Sequence, residues 1–107
     1  MGNELLHLTD ATFEQTINNN KLVLVDFWAG WCGPCRALAP TIEELAKQYS
    51  GRAVVAKLDV DENPATAEKF HVFSIPTVVL VKNRCEVERI VGLCSKNRYN
   101  DVLQKYL

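Results

Sequence analysis

Leu22 to Ala29, LVLVDFWA, is apolar at odd and even positions alike, apart from one carboxylate, Asp26. A strand half-buried in a sheet alternates. A run apolar on both parities predicts a strand covered on both faces, as in a sheet sandwiched between helices. Two more such runs follow: AVVAKLDV, Ala53 to Val60, interrupted by Lys57, and TVVLV, Thr77 to Val81. Between the first two the period changes. Leu38, Ile42, Leu45 and Tyr49 form one stripe, and Glu43 stands four residues before Lys47, which predicts a helix from Cys32 to about Tyr49. Pro40 lies inside this helix and is expected to kink it. Tyr99, Val102, Leu103 and Tyr106 repeat the helical spacing behind Ser95, a candidate N-cap.

Weaker signals fill the gaps. Leu5 to Leu8 reads as a short first strand, and Thr9 or Asp10 as the cap of a helix carrying Phe13 and Ile17 that ends at Asn18-Asn19-Asn20. Asn63-Pro64 reads as N-cap and first position of a short helix to about Phe70. A turn over Lys82–Cys85 leads to a strand over Val87–Val91. The order β-α-β-α-β-α-β-β-α predicts an α/β sandwich with helices on both faces. No repeat, linker or low-complexity stretch interrupts it, so a single domain over residues 1–107 is expected.

Composition excludes more than it identifies. With 48% hydrophobic and 23% charged residues, the chain suits a soluble domain with its own core. A net charge of -1 offers no basic field, so neither nucleic acid nor an anionic membrane is an expected partner. No apolar run approaches the ~18 residues of a membrane span. MGNELLHLTD has no basic segment followed by an apolar one, so no signal peptide is expected, and a cytoplasmic setting with reduced thiols is. Met1-Gly2 could open a myristoylation site, but Leu6 stands where Ser or Thr is needed.

Against that background WCGPC, Trp31 to Cys35, stands out. Cys32 follows a buried strand and opens a helix. The first N–H groups of a helix lack internal partners and favour negative charge, so a cysteine placed there is shifted toward the reactive thiolate. Only Cys32 is expected to be exposed, with Cys35 one turn in, beneath it, placed to resolve a mixed disulfide. Gly33 is expected to let backbones approach closely, and Pro34 to stiffen the first turn. Three other readings compete. A zinc site would need Cys85 and Cys94, which an intervening strand holds too far apart, so no metal is expected. A structural crosslink closing so short a loop would constrain little. An inert buried pair fits poorly with a polar loop flanked by tryptophan.

DFWAGWCGPC, Asp26 to Cys35, resembles the active-site segment of the thioredoxin family. The resemblance runs along the chain through LDVDENP (Leu58 to Pro64), SIPT (Ser74 to Thr77), VKN (Val81 to Asn83) and Val91-Gly92. It implies a five-stranded mixed sheet flanked by four helices. It implies thiol–disulfide exchange, with Cys32 as nucleophile, Cys35 as resolving thiol and a redox-active disulfide between them. No bound cofactor is implied. A thioredoxin reductase, NADPH- or ferredoxin-linked, would supply electrons to a monomer whose substrates are disulfide-containing target proteins. Gly33-Pro34 resembles the reducing members of the family, not the isomerases.

The residues around the cysteines carry expectations of their own. A carboxylate in a strand buried on both faces needs a partner or its pKa rises, and Lys57 in the neighbouring strand offers a cross-strand ion pair. The resemblance adds that Asp26 takes and returns the Cys35 proton, with Lys57 tuning it. Ile75-Pro76 resembles the family's cis-proline, which would set Pro76 beside the cysteines and free the Ile75 main chain to pair with a substrate strand. Trp31 and Gly92 would complete the contact surface, with Trp28 as core support. His7 and His71 are isolated and expected at an edge or the surface. Two features depart from the family pattern. Arg84 follows Asn83 where relatives commonly have glycine, at about 1 kcal/mol if the turn needs positive φ, unless the turn is longer and contains Cys85. Cys85 reads as a small, partly buried hydrophobe, and Cys94 as a thiol near the substrate surface, open to oxidation or intermolecular disulfides.

Overall fold

Five strands form one sheet in the order β1-β3-β2-β4-β5: β1 (Leu5–Leu8), β2 (Leu22–Trp28), β3 (Val54–Asp59), β4 (Thr77–Lys82) and β5 (Cys85–Val91). The computed structural model describes residues 5–107, so the readings of the Met1-Gly2 start lie outside the described residues. β1 and β2 run parallel to β3, β4 antiparallel to β2, and β5 antiparallel to β4. β2 is therefore central, and Leu22 to Phe27 are all buried, which is why its apolar run ignores parity.

Four helices, α1 (Phe13–Asn19), α2 (Gly33–Gln48), α3 (Pro64–Lys69) and α4 (Lys96–Tyr106), complete the sandwich. Parity assigns them to faces, because successive strand side chains point to opposite sides. Leu22 and Leu24 pack with Leu38, Ile42, Leu45 and Tyr49 of α2 and with Tyr99, Val102 and Leu103 of α4. Val23, Val25 and Phe27 pack with Phe13 and Ile17 of α1 and with Ala67 of α3. Burying each such large apolar side chain stabilises the fold by roughly 1.5–3 kcal/mol. This mixed sheet with four helices is the architecture expected from the sequence.

The corrections fall at element ends. α1 begins at Phe13, after a turn in which Thr9 and Thr12 exchange bonds. The Thr12 N–H donates to Thr9 Oγ1 at 3.2 Å and the Thr9 N–H to Thr12 Oγ1 at 2.9 Å, a reciprocal arrangement like a capping box. Asp10 caps a different helix. Its carboxylate accepts from the Thr66 hydroxyl at 2.7 Å and from the N–H groups of Thr66 and Ala65 at 2.8 and 3.2 Å, at the start of α3. Desolvation pushes the Asp10 carboxyl up, but these three bonds together hold it below its ordinary value. Cys32 and Tyr49 are the caps of α2, which runs on through Pro40. Ser95 holds the N-cap position of α4 without a side-chain capping bond.

The hairpin after β4 is the two-residue turn Asn83-Arg84, with φ of 52° and 71°. Cys85 lies outside it, paired with Lys82 as the first residue of β5. The longer turn is thus excluded, and Arg84 occupies a conformation that favours glycine, at about 1 kcal/mol. β5 starts two residues before Val87 because a bulge interrupts its alternation: Leu80 faces Glu88 while Val81 faces Glu86.

Candidate active site

Cys32 ends the turn after β2 and caps α2. Its N–H donates to the Ala29 carbonyl at 3.2 Å, and its own carbonyl accepts the Arg36 N–H at 3.1 Å. Cys32 Sγ accepts the Cys35 N–H at 3.2 Å and is joined to Cys35 as a disulfide. No acidic residue occupies the first turn of α2. Reduction of the bond therefore leaves a sulfur at a helix N-terminus with no competing anion in the first turn, the setting that favours thiolate.

Both cysteines are covered, Cys32 at 4% and Cys35 at 2% exposure, so the expectation of an exposed Cys32 is corrected. The cover comes from a loop remote in sequence: the Ile75 carbonyl oxygen lies 3.7 Å from Cys32 Sγ. Ile75-Pro76 is cis, Pro76 is buried, and its carbonyl accepts the Gly92 N–H at 2.8 Å. Gly92 has φ of 94°, which requires glycine. Gly33 and Pro34 are exposed. A Cβ on Gly33 would meet only Arg36 Nη2, at 3.9 Å, so no close backbone approach explains this glycine.

Asp26 shares the parity of Leu22 and Leu24 and so faces α2, the helix that carries the cysteines. It is 1% exposed and its Oδ1 has no hydrogen-bond partner. Burial pushes the carboxyl up to about 7, against a smaller downward pull from the charge of Lys57. The Asp26–Lys57 ion pair expected from the sequence does not form among the described residues. Lys57 is Asp26's register partner, but its Nζ sits 4.0 Å from the centroid of the Trp28 ring. A half-exposed lysine keeps its hydration and an aromatic face there, where a buried ion pair would cost both charges their water.

Trp31 is 69% exposed, and its Nε1 donates to Asp61 Oδ2 at 2.8 Å. Phe73, Val91 and Leu93 are exposed large apolar residues on segments that flank Pro76 and Gly92 in sequence. Neither Asp61 nor Phe73 is marked as a site residue by the sequence. Asp61 lies within LDVDENP, a segment that carries the family resemblance without assigning this residue a role, and Phe73 is one apolar residue without a period. His7 lies on the edge strand β1 and His71 at the surface, as expected. Cys85 is exposed, which corrects its reading as a partly buried hydrophobe, and Cys94 is half-buried against the α2/α4 core. Among the described residues no three His, Cys, Asp or Glu side chains are grouped to hold a metal ion.

Comparison with known proteins agrees with this geometry. The sequence profile of the thioredoxin family matches residues 4–105. Thioredoxins of Staphylococcus haemolyticus and Staphylococcus aureus are each 48% identical over 103 residues, covering 96% of this chain and 98% of theirs. A mutant thioredoxin from Halobacterium salinarum superposes with a TM-score of 0.89 at 39% identity, covering 98% of this chain and 92% of that one. With a helix-capping Cys32–Cys35 disulfide on a five-stranded sheet, the chain belongs to the thioredoxin family, as a dithiol–disulfide oxidoreductase that reduces protein disulfides through this CxxC pair.

Proposed function

We propose that Cys32 is the attacking thiolate, Cys35 the resolving thiol and Asp26 the base that serves Cys35. The observation that carries the assignment is the Cys32 sulfur capping α2, where it accepts the Cys35 N–H. The thiolate of Cys32 attacks one sulfur of the target disulfide, forming a mixed disulfide and expelling the other target sulfur as a thiolate. Cys35 gives its proton to the Asp26 carboxylate and attacks Cys32 Sγ. That breaks the mixed disulfide, releases the second target thiolate and leaves the Cys32–Cys35 disulfide. Two electrons have moved from the protein to the target, and the donor must return two. A thioredoxin reductase is the donor this reading assigns.

The Ile75 main chain, beside Cys32 Sγ, binds the target segment by backbone hydrogen bonds, with Trp31, Pro76 and Gly92 forming the surrounding surface. Gly33 and Pro34 set the redox tendency of the pair, and Lys57 tunes Asp26. One chain supplies every one of these groups, in support of a monomer and of a single domain over residues 1–107. No helix among the described residues is long and apolar enough to cross a membrane, and Cys85 and Cys94 are free thiols, in support of a reducing cytoplasmic setting.

Dithiothreitol-driven reduction of insulin tests the cysteine roles. The wild-type chain is expected to accelerate it, with Cys32→Ser and Cys35→Ser at the background rate. Wild-type activity no higher than the variants would leave a peptide-binding module without redox turnover. Single-turnover kinetics test Asp26. Asp26→Ala is expected to slow release of the mixed disulfide about 10²-fold or more while attack stays within a few-fold, the usual scale for losing a positioned base. Equal slowing of both steps would remove Asp26 from the reaction.

A further inference from the structure

The loop that covers Cys32 leaves α3 through a strained joint. The Val72 N–H donates to the Ala67 carbonyl at 2.9 Å and the His71 N–H to the Glu68 carbonyl at 3.0 Å, the paired bonds of a Schellman motif. The residue at the left-handed position of that motif is usually glycine. Here it is His71, with φ of 54°. A side chain from the far edge of the sheet closes over the joint. Arg89 of β5 donates from Nη2 to the Phe70 carbonyl at 2.6 Å and from Nη1 to the His71 carbonyl at 3.2 Å. Glu86 holds the guanidinium in a two-pronged grip, accepting from Nε at 2.8 Å and from Nη2 at 2.9 Å. Charge-assisted bonds of this kind are stronger than neutral ones, and the planar fork can serve a carboxylate and two carbonyls at once.

We propose that Arg89 is a positioning residue for disulfide reduction: from β5 it clamps the left-handed joint at His71 and so holds the Ile75 segment in place over Cys32. The chain from His71 to Ile75 is short, so a shift at the joint moves the carbonyl that lies 3.7 Å from Cys32 Sγ. It moves the exposed Phe73 with it. Arg89 touches neither sulfur, and its effect falls on how well a protein target docks, not on the exchange chemistry. The inference rests on the proposed reading that the Ile75 main chain binds targets.

Three variants, Arg89→Ala, Arg89→Lys and Arg89→Ala combined with His71→Gly, separate the outcomes. Reduced protein is mixed in single turnover with insulin and with a small aromatic disulfide that has no peptide strand to dock. Amide exchange is followed at His71 and Val72. In Arg89→Ala both amides are expected to exchange faster, and the half-saturating insulin concentration to rise about fivefold. The limiting rate and the rate with the small disulfide are expected to stay within about twofold, since no reacting group is touched. Lysine, a single point donor, restores part of the loss. His71→Gly restores most of it, because glycine adopts the left-handed joint without strain. Unchanged exchange at His71 and Val72 would overturn the clamp and leave the reading of Ile75 standing. Faster exchange with unchanged insulin saturation would overturn the role of Arg89 in docking and leave the reading of Ile75 standing, since the joint would then loosen without displacing that segment. Equal losses on both substrates would show general damage and overturn the proposal.

Discussion

The Cys35→Ser protein, reduced and mixed with a protein disulfide, is expected to stop at a covalent complex with its target, with turnover down at least about a thousandfold. Attack needs only the Cys32 thiolate, and its position at the start of α2 survives the substitution because the Cys35 N–H that Cys32 Sγ accepts is a main-chain group. Release needs a second thiol. In the wild type that thiol is held one turn away on the same rigid helix, and well-oriented intramolecular groups act at effective concentrations of ~10⁵ M or more. A serine hydroxyl cannot form the disulfide, so only free thiol in solution can split the complex. Non-reducing electrophoresis checks this: a band at the summed mass of the two chains, cleared by excess dithiothreitol. A Cys35→Ser protein that releases its target at the wild-type rate would show that Cys35 is not the exit.

A second large effect concerns stability. Asp26→Ala is expected to gain on the wild type as pH rises, by about 4 kcal/mol between roughly pH 4 and pH 8 in the oxidised protein. The sign follows from proton binding. Burial raises the Asp26 carboxyl from 3.8 to about 7 in the folded chain. Between these values the folded state keeps a proton that the unfolded state has lost. Wild-type stability must therefore fall as pH climbs through this window, and levels off above about 7. Alanine has nothing to titrate and escapes the fall. The small cavity it leaves costs much the same at every pH, so it offsets the curve without changing its shape. Urea denaturation of both proteins across this range measures the difference. A difference that does not vary with pH would mean that Asp26 titrates normally in the fold. A residue that weakens the fold near neutrality, without an ion pair to offset its burial, is better explained by chemistry than by architecture.

Much of this was legible from local pattern. The two-parity runs in β2, β3 and β4 showed a sheet covered on both faces, and the stripes of α2 and α4 showed what covers one of them. The junction of buried strand and helix is enough to place Cys32 at a helix start. What stayed hidden depended on partners distant along the chain. Nothing near Cys32 shows that a carbonyl 43 residues away will cover its sulfur. Nothing near Asp10 shows that it caps a helix beginning some 55 residues later. Lys57 departs from its expected ion pair for a related reason: strand register makes it Asp26's neighbour, but register does not choose between a carboxylate and an indole ring. At Val87 a bulge breaks the alternation, and a rule based on a period of two cannot follow a strand through it.

The sheet also works as a partition. The disulfide, Asp26 and Lys57 lie on the side roofed by α2 and α4, whereas Arg89 reaches the end of α3 on the other side. On the proposed reading, Asp26 and Lys57 act on the cysteines from one face of this wall, while Arg89 steadies the Ile75 segment from the other. If Arg89 clamps as proposed, substitutions there are expected to change how targets dock while leaving the exchange chemistry intact, so that one wall lets the two properties be retuned from different sides.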